Sequence, residues 1–127
     1  MKILRKIFNL LPFVILGITL LLIFQFGYAL SQNETPSIFN RSLAYVATPS
    51  MEDEIMSGDI IVIHTDYDEI YPEDIISFMA DVNGQTVSVT HRVQTVENGL
   101  YTTKGDNNGE IYDWETDILP YQIIGVY

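Results

Sequence analysis

Apolar residues follow two different patterns along this chain. From Phe8 to Leu30 they run almost unbroken, as "FNLLPFVILGITLLLIFQFGYAL", with no charged residue among them. At about 1.5 Å of rise per residue, that run is long enough to cross a hydrocarbon core about 30 Å thick, and it predicts a transmembrane helix. From Leu43 onward the apolar positions come in short bursts rich in Val, Ile, Thr and Tyr, broken by turn residues. Such spacing predicts the strands of an all-β domain. "SGDIIVI" (57–63) and "PEDIISF" (72–78) each read as a turn feeding a buried strand. Asn83-Gly84 and Asn98-Gly99 are hairpin-turn signals that lead into "TVSVTHRVQTV" and "LYTTKGD", and "YQIIGVY" supplies a last strand.

These patterns divide the chain into three parts. Residues 1–30 form a basic tip and membrane anchor, residues 31–42 ("SQNETPSIFNRS") a polar tether, and residues 43–127 a β-rich domain. A domain of about 85 residues buries one modest core, so a compact curved sheet or partial barrel is expected. The fold class is therefore mainly β behind a single N-terminal transmembrane helix.

Charge adds an orientation. Lys2, Arg5 and Lys6 precede the apolar run, and the next basic residue is Arg41. The positive-inside bias leaves the N-terminus in the cytoplasm and carries everything from Ser31 across the membrane. The formal net charge of −11 hides an asymmetry, because residues 31–127 hold three basic against seventeen acidic groups, a net of −14. Nucleic acid is excluded as a partner by that balance, and the run Glu52, Asp53, Glu54 reads as a solvated face. A cleaved secretory signal ending near Gly27-Tyr28-Ala29 is the alternative for the apolar segment, but such signals need an apolar region of only about 7–15 residues. Without a cysteine, the chain has neither a disulfide framework nor a thiolate nucleophile.

Few residues offer chemistry. Ser50 follows Pro49 in a turn-rich stretch, where it is a nucleophile or only a turn residue. Alternation along "TVSVTHRVQTV" puts His91 on the same face as Val87, Val89 and Val93, which suits a core histidine as well as a base. His64 ends a strand beside Thr65 and Asp66 and is expected in solvent. Lys104 is the sole lysine beyond the apolar run, so a serine with a lysine base would have to use it. Asp106 sits in "KGDNNG", ordinary turn chemistry. No His, Cys or carboxylate spacing suggests a metal site.

Together, "PSME" (49–52), "SGDIIV" (57–62), "THRV" (90–93) and "TKGDNN" (103–108) stand in the order and approximate spacing of the type I signal peptidases, and the resemblance runs over the whole chain. It is closest to the archaeal and endoplasmic-reticulum branch, in which a histidine takes the place of the bacterial lysine. The resemblance implies a membrane-bound serine endopeptidase that removes signal peptides from exported precursors, with the bilayer and those precursors as partners, room for a partner subunit, and no cofactor. It aligns Ser50 with the nucleophile and His91 with the base. Asp106 is the candidate for the acid that orients the imidazole, and Asp113 matches a second family acid after a one-residue shift. The Ser50 N–H and the Thr48 hydroxyl would hold the oxyanion. Pro49 and Asp53 depart from the family pattern, and the chain ends at Tyr127, where relatives continue through another strand. The rival reading is a non-catalytic, membrane-anchored β-domain, an inactive homologue or interaction protein, with Ser50 in a plain turn and His91 in the core.

Overall fold

The computed structural model describes residues 2–31 and 36–127. Residues 32–35 of the expected tether lie outside them. Two compact units result, Met1–Pro36 and Ser37–Tyr127.

The first unit is the helix α1, Lys2–Ser31. Within it Phe8–Tyr28 has a mean hydropathy of 2.3 and is long and apolar enough to cross a membrane. Its described apolar side chains are exposed around the whole circumference, as suits a helix solvated by lipid and not one packed by a single stripe. Pro12 lies inside this helix.

The second unit is one antiparallel sheet of six strands: β1 Arg41–Tyr45, β2 Ile60–His64, β3 Ile75–Val82, β4 Gln85–Glu97, β5 Leu100–Lys104 and β6 Ile123–Val126. Their spatial order is β1-β2-β6-β3-β4-β5, a curved open sheet with the C-terminal strand inserted between β2 and β3. β1 begins two residues before the expected start at Leu43. Both Asn-Gly signals form two-residue turns with all four residues at positive φ, joining Val82 to Gln85 and Glu97 to Leu100. That geometry matches the twist of the flanking strands, and Asn and Gly are the residues that tolerate it.

Alternation decides how each strand is buried. β2 was expected to be buried throughout, but only Ile61 and Ile63 turn inward, while Ile60 and Val62 face out beside Tyr45 and Leu43 of β1. The most deeply buried strand is β3, whose residues Ile75–Phe78 are all buried between β6 on one side and β4 on the other. Its neighbours Ile75 and Ile76 point to opposite faces and join different apolar clusters. Ile76, Phe78, Ala80 and Val93 pack with Ile70 and Ile118 in one, and Ile75 packs with Ile61, Ile63, Met51 and Ile55 in the other. The second cluster matters most for chemistry, because it anchors the long β1–β2 connection through Met51 and Ile55.

Phe78 is completely buried, so Phe78→Ala should destabilise the domain by about 3–5 kcal/mol through lost transfer energy and a residual cavity. Tyr121→Ala, at an exposed ring, should change stability by no more than about 0.5 kcal/mol. Urea unfolding of the two variants measures the contrast.

Candidate active site

The β1–β2 connection is drawn in at both ends, where Val46 N–H donates to the Asp59 carbonyl and Gly58 N–H to that of Val46. Between these contacts a short 3-10 helix, Pro49–Met51, carries Ser50. Proline suits the first helical position because its fixed φ is already helical and its missing N–H is not needed there. Burial of Met51 fixes the turn of this helix, and Ser50 is left half-buried at its surface.

His91 lies in β4, directly opposite Ile76 of β3, and is 3% exposed. Its Nε2 is 3.0 Å from Ser50 Oγ, and its Nδ1 is 2.5 Å from Glu115 Oε1. The hydroxyl of Thr48 is 3.2 Å from Ser50 Oγ. Ser50 and His91, 41 positions apart in the chain, are thus brought within hydrogen-bond distance.

The acid on the ring is not one of the two aspartates expected there. Asp106 instead faces Arg92, whose Nε donates to Oδ1 at 2.9 Å and whose Nη2 donates to Oδ2 at 2.7 Å. Alternation explains this, because Arg92 follows His91 on β4 and points to the other face, where the turn after β5 brings Asp106 to it. Asp113 is exposed at the start of a second 3-10 helix, Asp113–Glu115, and its backbone carbonyl accepts from Thr116. Glu115 ends that helix, is fully buried, and uses its second oxygen, Oε2, to accept the Tyr112 backbone N–H at 2.8 Å. In the sequence Glu115 is one of seventeen acids. Only its place between Trp114 and Ile118, both large and apolar, sets it apart.

The remaining candidates are elsewhere. Lys104 pairs with Arg92 across the β4–β5 ladder, so it shares Arg92's face and not that of His91. His64 is exposed at the end of β2. Among the described residues, no group of three or more His, Cys, Asp or Glu is arranged to hold a metal ion.

A brace holds the serine loop from behind. Asn107 N–H donates to the Ser50 carbonyl at 2.9 Å, and Asn107 Nδ2 donates to that of Pro49 at 3.1 Å. Gly105 must be glycine for the same reason, since a Cβ there would lie 2.8 Å from the Ser50 carbonyl oxygen and 2.6 Å from Asn108 Nδ2. The "GDNN" motif is therefore a clamp on the backbone of Ser50. Arg92 also donates to the Glu73 carbonyl at 3.0 Å, so the guanidinium links the turn before β3 to the turn after β5.

Burial pushes the His91 imidazole below its ordinary value, and the nearby charges of Glu115 and Asp106 offset that only in part. The ring is neutral at neutral pH, and its partners assign the tautomer: Nδ1–H donates to Glu115, and the free Nε2 lone pair faces the Ser50 hydroxyl. A base so placed can take the hydroxyl proton. Trp114, with its ring centroid 5.8 Å from that of His91, covers the imidazole, and Tyr112 stacks on Trp114 at 5.4 Å. The group opens into an apolar cleft of about 500 Å³ between Tyr45–Thr48 on one side and Val87–His91 on the other.

The sequence is similar to Signal peptidase I W of Bacillus subtilis (strain 168), with 33% identity over 110 residues, 82% of this chain. The chain spans about half the length of that relative, 56% of it. No family model matches the sequence. The similarity supports kinship with the type I signal peptidases, and the helix α1 fits a membrane-anchored protein.

Gly105→Ala should force the clamp away from Ser50 without unfolding the sheet. A displacement near 1 Å in a reacting group lowers rates by roughly 10²-fold. Phosphonylation of Ser50 by a fluorophosphonate probe should slow by that order, with an unfolding midpoint close to that of the parent.

Proposed function

We infer that this chain is a type I signal peptidase: a membrane-anchored serine endopeptidase that cuts signal peptides from exported precursors on the outer side of the membrane. The observation that carries this reading is the 3.0 Å approach of His91 Nε2 to Ser50 Oγ inside an apolar cleft, in a chain similar to a signal peptidase.

The geometry is compatible with acyl transfer through a serine nucleophile. Ser50 Oγ attacks the scissile carbonyl as its proton passes to His91 Nε2. The tetrahedral oxyanion is held by the Ser50 N–H and the Thr48 hydroxyl, which is already close to Oγ. His91 gives the proton to the leaving amine, then takes one from the water that hydrolyses the acyl-enzyme. No cofactor takes part.

A free strand edge supports this reading of substrate binding. β4 pairs with β3 along Gln85–Arg92 but with β5 only along Arg92–Glu97, which leaves its N-terminal half with a strand on one side only. An extended precursor segment laid along that free edge would run between Val87–Thr90 and Tyr45–Thr48, with its scissile bond at Ser50. The walls of this cleft are mostly apolar, which is compatible with small apolar side chains before the cut. Lys2, Arg5 and Lys6 ahead of the apolar helix support, by the positive-inside bias, a cytoplasmic N-terminus and a domain on the outer side.

In membranes carrying the full chain, Ser50→Ala and His91→Ala should each abolish precursor cleavage, and the double variant should be no worse than the worse single one, because members of a catalytic unit do not add. Cleavage by Ser50→Ala at the parental rate would end this reading.

The pH dependence has a definite sign. His91 must be neutral to accept a proton, and burial holds its folded value below the ordinary 6.5. Activity should therefore be flat through pH 7 and fall only as pH drops through a value under 6.5. Stability should decline in the same acidic range, because below 6.5 the unfolded chain gains a proton on this residue before the folded chain does. A kcat/KM profile alongside unfolding curves at several pH values tests both.

A further inference from the structure

We propose that the acid that positions His91 is Glu115, delivered by the short helix Asp113–Glu115, and that Asp106 serves a separate, structural purpose through Arg92. The proposal rests on the peptidase reading and assigns a residue within that site.

Three observations carry it. The first is occupancy of the ring nitrogen: Nδ1 is 2.5 Å from Glu115 Oε1, and both nitrogens of a buried imidazole are then used, one toward the acid and one toward Ser50. The second is that Glu115 is itself fixed. Its side chain is fully buried, and Oε2 accepts the Tyr112 N–H at 2.8 Å, so neither oxygen is left to rotate away. An acid held at both oxygens sets the ring's orientation, whereas a mobile one would follow it. The third is the employment of the alternatives. Both Asp106 oxygens accept from Arg92 in a bidentate pair, on the face of β4 opposite to His91, and Asp113 is exposed.

The segment Tyr112–Glu115 thus supplies two things to one imidazole. Glu115 selects the tautomer with the proton on Nδ1, which leaves the Nε2 lone pair for the serine proton. Trp114 covers the ring, with Tyr112 stacked behind it. As the imidazole gains a proton from Ser50, the carboxylate beside it stabilises the cation without moving. Because the cover and the acid come from one short helix, they are set in place together.

The test compares Glu115→Gln with Asp106→Asn in the full membrane-bound chain. A glutamine keeps the length and can still accept the Tyr112 N–H, but its amide can present a donor to Nδ1 and favour the wrong tautomer. Glu115→Gln should lower kcat by as much as ~10⁴-fold with KM little changed, as loss of a triad acid does. Glu115→Asp should recover part of that loss. Removing the charge also removes a contribution that holds the His91 pKa up, so the acidic limb of the residual activity should move to lower pH, which a purely structural role would not do. Asp106→Asn should lose much less in kcat and show its effect chiefly in the unfolding midpoint.

Equal or greater loss of kcat in Asp106→Asn, with its fold intact, would overturn the assignment, as would a Glu115→Gln enzyme that retains most of its activity. A second measurement needs neither turnover nor a variant. ¹⁵N NMR of the His91 ring at neutral pH should find Nδ1 protonated and Nε2 bare, and the opposite tautomer would equally overturn the proposal. Failure of the peptidase reading would look different: Ser50→Ala and His91→Ala would keep their cleavage while the ring tautomer stayed as stated here.

Discussion

A neutral imidazole buried in an apolar setting must have both of its nitrogens partnered, and the architecture of this domain is organised around meeting that need for His91. An unpaired buried polar atom costs about 1–3 kcal/mol, a large fraction of a small domain's stability. The two partners come from opposite directions along the chain, Ser50 from 41 positions before the histidine and Glu115 from 24 positions after it. Neither is a neighbour by secondary structure. Each is carried by a short 3-10 helix within a loop, and each helix has one buried side chain, Met51 in the first and Glu115 in the second.

The sheet makes this convergence possible by giving β4 two different roles along its length. Its N-terminal half pairs with β3 and borders a cleft, whereas its C-terminal half pairs with β5, and only Arg92 is paired with both. His91 and Arg92 stand at the junction, and since consecutive residues point to opposite faces they serve opposite sides of the sheet. His91 faces the chemistry. Arg92 holds the scaffold, drawing the Glu73 and Asp106 turns together so that Asn107 can bond the backbone at Pro49 and Ser50. The "HRV" and "GDNN" stretches therefore belong to two coupled jobs, activation of the serine and restraint of its loop.

The strong negative charge of the domain divides along the same line. Most of its described carboxylates are exposed, and among these Asp59 and Asp81 accept backbone N–H groups in turns. Asp106 is tied to a guanidinium and acts on shape. Glu115 is withdrawn from solvent entirely, in contact with one imidazole and one backbone N–H. Identical chemical groups thus differ in role through what surrounds them, which no count of acids conveys.

Much of this was legible from one-dimensional patterns, for definite reasons. A long uncharged run makes an apolar helix through its own length and composition, and α1 is that helix. Alternating β-branched residues make strands because side chains alternate faces, and Asn-Gly makes tight hairpins because those residues accept positive φ. Thus the mainly-β fold, both hairpins and the pairing of Ser50 with His91 were within reach, the last through four ordered motifs. What the chain order did not contain was the partner of Nδ1. Asp106 and Asp113 stood in the motif positions, and no motif marked Glu115, because burial is a property of the packed sheet and not of the residue. Which face Arg92 and Asp106 occupy follows from alternation only once β5 has been laid against β4. The open outer face of β2, expected to be buried, likewise depends on the strand order of the finished sheet. Local sequence fixes periodicity and turns, which act over a few residues. Which acid meets the histidine is set by contacts across 24 positions, and only the folded sheet brings those residues together.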